Sequence, residues 1–125
     1  MEGLTYFFDT YAIIEFLDGN KNYHKAFKKG LVTTRLNLME LYYQALKKWE
    51  KIVADKVYVE FLKHIVDFDD EAIKEAMEFR LRMLKKGKHF SYTDAVGYII
   101  AKKNGVEFLT GDEEFKNLPN VKFVK

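Results

Sequence analysis

A chain of 125 residues with 48% hydrophobic and 16% aromatic side chains, one Pro, seven Gly and no Cys has the size and composition of one folded domain. The missing Cys excludes disulfide frameworks, thiolate zinc centres and cysteine nucleophiles. With 21 basic and 19 acidic residues the net charge is only +2, so no strong field selects a partner, although small lysine clusters such as Lys25, Lys28 and Lys29 suit nonspecific phosphate contacts as well as a solvated helix face.

The opening MEGLTYFFD has no basic region and no apolar run of signal-peptide length, and nowhere do about 18 apolar residues follow one another. A soluble, cytoplasmic protein with no membrane partner is therefore expected, one domain spanning residues 1–125. Leu4 to Phe8 reads as a short apolar strand ending at Asp9, and Tyr11 to Leu17 as a helix broken at Asp18-Gly19-Asn20. Tyr23 to Lys29 fits a second short helix, Leu31 to Thr34 a strand, and Leu36 to Trp49 a long helix. Val53 to Lys63 is helical in pattern and Ile65 to Phe68 a brief strand; Asp69 or Asp70 then caps a helix that runs to about Lys86 and stops at Gly87. Ser91-Tyr92-Thr93-Asp94 has the form of a capping box and opens a helix to about Lys103, ended by Asn104-Gly105. Val106 to Leu109 and, after Leu118-Pro119-Asn120, Val121 to Val124 complete the strands. Strands alternating with helices predict an α/β fold, a three-layer α/β/α sandwich on a mostly parallel central sheet of four to five strands.

In such a sheet, helices that follow a strand and helices that precede one both begin at the carboxyl edge of the strands. Asp9, Glu40, Asp94 and Asp112 all map to that edge, where open α/β sheets bind ligands. Three of them also have plainer roles: Asp9 as a helix cap, Asp94 as the partner of Ser91 in the capping box, Asp112 as the cap of a short turn with Glu113 and Glu114. Glu40 is harder to assign to structure, because NLMELYYQAL surrounds it with apolar and aromatic residues. Two carboxylates about 4 Å apart repel by roughly 4 kcal/mol at an effective dielectric near 20, so a cluster of four needs protons or a cation, and an all-oxygen set suits Mg²⁺ or Mn²⁺. The rival acids Asp67, Asp69, Asp70 and Glu71 fit a strand end and a helix cap, and His24, His64 and His89 lack paired zinc spacing. The Tyr and Phe residues read mostly as core by their spacing, and a few near the edge, such as Tyr11 and Tyr92, could stack on bases.

Together FFDTYAIIEFL, TTRLNLMELYYQAL and SYTDAVGYIIAKKNGVEFLTGDEEF resemble the PIN-domain family of ribonucleases, especially its small VapC-type toxins, over nearly the whole chain. The resemblance implies that Asp9, Glu40, Asp94 and Asp112 are the catalytic and metal-holding acids, with Thr110 and Thr10 as accessory hydroxyls. It departs from the family at Tyr11, where many relatives carry Asn. It further implies a Mg²⁺- or Mn²⁺-dependent endoribonuclease leaving 5′-phosphate and 3′-hydroxyl ends, RNA as substrate, an antitoxin partner and a homodimer. Two alternatives stand beside it: an RNA-processing nuclease of the same family without an antitoxin, and a catalytically silent α/β module that binds RNA or protein.

Overall fold

The computed structural model of the protein describes residues 5–125; the predicted strand start at Leu4 lies outside them. Four strands, β1 (Tyr6–Phe8), β2 (Leu31–Val32), β3 (Glu107–Thr110) and β4 (Val121–Phe123), alternate with six helices, α1 (Thr10–Leu17), α2 (Lys21–Lys28), α3 (Arg35–Lys48), α4 (Lys51–Leu62), α5 (Asp70–Lys85) and α6 (Tyr92–Lys103). The strands form one sheet in the order β2-β1-β3-β4, and every pairing is parallel.

Period-two alternation sorts the strand side chains onto two faces. Phe7 and Phe108 point to a layer made by α5 and α6, where they join Ala72, Ala76, Phe79 and Phe115. Phe8 and Leu109 point the other way, against Ile13 of α1, Tyr23 of α2, Leu38 and Leu41 of α3 and Phe61 of α4. Parallel strands covered on both faces read as continuous apolar runs, which is what Tyr6-Phe7-Phe8 and Phe108-Leu109 are. Gly97 lets α6 lie close to the sheet: a Cβ there would meet the Phe7 ring at 2.9 Å and the Phe108 ring at 3.2 Å.

One expected strand does not form. Ile65–Phe68 contributes a single parallel bridge, Thr33 to Ile65, held by the Thr33 amide on the His64 carbonyl at 3.0 Å and the Val66 amide on the Thr33 carbonyl at 2.9 Å. The neighbouring β2 is only two residues long, and the chain turns at once into the Asp69 cap of α5, whose carboxylate accepts from the Ala72 amide at 3.0 Å. No ladder has room to extend. Among the described residues no helix is long and apolar enough to cross a membrane.

Candidate metal and active site

The sheet order places β1 and β3 side by side at its centre, with the connection from β1 leading to β2 on one flank and the chain returning to β3 on the other. Such a reversal opens a crevice beyond the carboxyl ends of the two strands. Asp9 follows β1 directly and Asp112 follows β3 by two residues, so both enter this crevice from adjacent strands. Asp94 lies in the first turn of α6, which runs back antiparallel to the sheet, and Glu40 in the second turn of α3 after β2. The carboxylates couple through space: Asp9 feels the charges of Asp94 and Asp112, and Asp94 those of Asp112 and Glu40.

Asp9 is the most deeply placed, 3% exposed, and caps α1 by accepting from the Ala12 amide at 2.7 Å. Burial pushes its carboxyl up to about 8; hydrogen bonds from the Thr110 hydroxyl and the Ala12 amide oppose this, and the charges of Asp94 and Asp112 add to it. Thr110, fully buried, serves both central strands, since its oxygen also accepts from the Asp112 amide at 3.0 Å. Asp94 completes the capping box: Ser91 Oγ accepts from its amide at 3.0 Å while its carboxylate accepts from the Ser91 amide at 3.2 Å. Its carboxyl is also raised, first by burial, against the two Ser91 hydrogen bonds, with Asp112 and Glu40 contributing. Asp112 caps the 3-10 turn over Glu113–Phe115 through the Glu114 amide at 3.0 Å.

Glu40 is held by a network. Thr10 Oγ1 donates to Glu40 Oε1 at 2.7 Å and accepts from Asn37 Nδ2 at 3.1 Å, while Asn37 Oδ1 accepts from Thr34 Oγ1 at 2.7 Å. Asn37 and Thr34 are buried and were not among the sequence candidates; a Thr just before the first helical residue is an N-cap signal that could have marked Thr34, whereas no spacing marks Asn37. Gly111 is a second unforeseen element, since a Cβ there would strike the Tyr11 ring and come within 2.6 Å of the Val124 carbonyl and 2.8 Å of the Tyr23 hydroxyl. The Tyr11 ring thus lies against the turn that delivers Asp112.

The plainer assignments for Asp9, Asp94 and Asp112 as caps are all realised, and the acids converge nonetheless. Among the described residues no group of three or more acid or His side chains stands close enough to hold a metal ion as it is. The charge coupling does not conflict with this, because Coulomb interaction reaches further than a ligand bond of about 2 Å. The donor set itself fits a hard divalent cation: carboxylate oxygens only, one of them protonated by burial in the ion's absence. The rival acids go elsewhere, with Asp69 occupied as the α5 cap. His24 packs 4.8 Å from the Phe16 ring and His64 lies beside Phe27 and Phe61, both as packing residues.

Comparison with known proteins agrees with this fold. A VapC ribonuclease of Archaeoglobus fulgidus is 35% identical over 81 residues, 61% of this chain and 50% of the relative, so the chain spans about half the length of the curated relative it matches. The fold is shared with the crystal structure of VapBC2 from Rickettsia felis bound to a DNA fragment from its promoter, at a TM-score of 0.76 and 19% identity over 96% of this chain and 97% of the other. DNA-bound VapBC from Salmonella typhimurium superposes with a TM-score of 0.75 and 20% identity over 96% of each chain. The PIN domain family matches residues 6–121, which carry both central strands and all four crevice acids, and the chain belongs to that family.

Proposed function

We propose that the chain is a divalent-metal-dependent endoribonuclease, the toxin of a toxin–antitoxin pair, with Asp9, Glu40, Asp94 and Asp112 as the acids that hold Mg²⁺ or Mn²⁺. The observation that carries the reading is the convergence of these acids on the crevice between β1 and β3, with Asp9 buried at 3% exposure. A buried carboxyl held neutral by desolvation is poised to release its proton to a cation, and binding is then coupled to pH. When bound, such an ion neutralises charge on the scissile phosphate and acidifies a water. The chain's own part is positional. Thr110 and the Ala12 amide fix Asp9, Thr10 and Asn37 fix Glu40, and the capping box fixes Asp94, so each acid is held at the crevice, from which the set would close on the ion. The Archaeoglobus relative, named a VapC ribonuclease, supports RNA as substrate. The toxin–antitoxin complexes among similar folds support an antitoxin partner. A homodimer and a cytoplasmic location belong to the same proposal.

The test is cleavage of single-stranded RNA by purified protein. Activity is expected with Mg²⁺ or Mn²⁺, lost on chelation and restored by the ion, with 5′-phosphate ends on the products. Protein that is folded yet cuts no RNA with either ion would leave the silent binding module as the surviving function. Light scattering decides the dimer.

A further inference from the structure

Tyr92 is the first residue of α6, two positions before Asp94, and it is 63% exposed. Nothing local calls for an aromatic there. The cap is already supplied by Ser91 and Asp94, and the ring joins neither core cluster. Instead the guanidinium of Arg80, reaching over from α5, lies 4.5 Å from the ring centroid. Arg80 is itself fixed, because its Nε donates to the Phe90 carbonyl at 2.8 Å, and Phe90 is anchored by rings stacked at 4.2 Å on Phe115 and 5.7 Å on Phe79. The cation covers one face of the ring, and the exposure of the residue leaves the other face to solvent.

Resting on the ribonuclease reading above, we propose that Arg80 and Tyr92 form a stacking subsite for one unpaired base of an RNA strand lying across the acidic crevice. A crevice lined by four carboxylates repels a polyanion, so affinity must come from its rim. The open tyrosine face supplies a sequence-tolerant stacking surface, and the guanidinium, bonded to protein through Nε, has its terminal nitrogens for the adjoining phosphate. Among the described residues Arg80 has no carboxylate partner within ion-pair distance. The choice of an unpaired base follows from chemistry: duplex bases are already stacked on one another and present no free face. Tyr92 opens the helix whose first turn carries Asp94, which puts the subsite at the carboxyl edge of the sheet where the crevice lies.

The experiment uses the full chain in chelator, where no cleavage occurs, and measures anisotropy of a labelled single-stranded RNA of about eight nucleotides. Tyr92→Leu keeps apolar bulk and removes the aromatic face; Tyr92→Phe keeps the face. Weakening by roughly 5- to 100-fold is expected for Tyr92→Leu, and less than about twofold for Tyr92→Phe. Binding of an RNA duplex should be unchanged in both. Circular dichroism confirms that each variant is folded. Equal single-strand affinity of Tyr92→Leu and the parent, an equal loss on duplex RNA, or no single-strand binding by the parent would each overturn the subsite. Cleavage by the parent in Mg²⁺, run alongside, separates the two claims. Cleavage with no Tyr92 effect removes only the subsite, and a Tyr92 effect without cleavage removes only the nuclease.

Discussion

At Asp9 a proton decides how the site behaves. The folded carboxyl, pushed up to about 8 from an ordinary 3.8, holds its proton more tightly than the unfolded chain does. Its contribution to stability is therefore full below about pH 4 and is lost as the pH rises toward about 8. Metal-free protein should melt several degrees lower at about pH 9 than at about pH 5, and Asp9→Asn should flatten that slope. Thermal scans of both proteins across this window check it; parallel curves would show that Asp9 is not the group responsible. Asp94→Asn separates ligand from cap. The amide can still accept from the Ser91 amide and so costs at most about 1 kcal/mol, while RNA cleavage should be abolished. Retained metal-dependent cleavage with the same product ends would remove Asp94 from the site. Asp9, Asp94 and Asp112 were legible in the sequence as caps, because each sits beside a signal that ends or starts an element. Asn37 was not legible, since its value lies in the half-buried hydroxyl it reaches, Thr10 on another helix, and linear spacing does not encode that.

Among the elements, α6 carries the most consequence, because it bears Asp94 and lies directly on Phe7 and Phe108. Gly97→Ala weighs two opposed effects. Helix propensity favours Ala by about 1 kcal/mol. The new methyl, however, meets ring carbons of two fully buried side chains at 2.9 and 3.2 Å, and overpacking of this kind costs about 1–3 kcal/mol. A net loss of about 1 kcal/mol is expected by urea denaturation, together with reduced RNA cleavage as α6 lifts Asp94 from the crevice; a stabilised, fully active variant would show that the rings give way freely. The sequence showed this helix and its capping box. It misled at Ile65–Phe68, where apolar β-prone residues read as a strand but the adjacent β2 is too short to pair with more than one of them. Pairing is a property of two segments, and a single segment's composition does not reveal it.

For the whole molecule, the balance of charge sets what bound ions and salt should do. Mg²⁺ or Mn²⁺ that binds only the folded state adds about 2.7 kcal/mol at 100 times its dissociation constant, so the melting temperature should rise and calorimetry should register binding with proton release near neutral pH. Absence of both signals over millimolar-range metal would count against the cation. With a net charge of +2, RNA affinity should fall only modestly with added salt.

Three of the four acids also hold the first turns of their elements together: Asp9 for α1, Asp94 for α6 and Asp112 for the 3-10 turn. Loss of activity and loss of fold are thereby open to mutation by different routes at the same positions. Asn keeps a capping acceptor and discards the charge, whereas Ala discards both at about 1 kcal/mol for each cap. On the proposed toxin function, a genetic selection for survivors of the expressed gene should return Asn most often among stable, silent escape alleles at 9, 94 and 112. Position 40, which caps nothing, should escape through a wider range of substitutions.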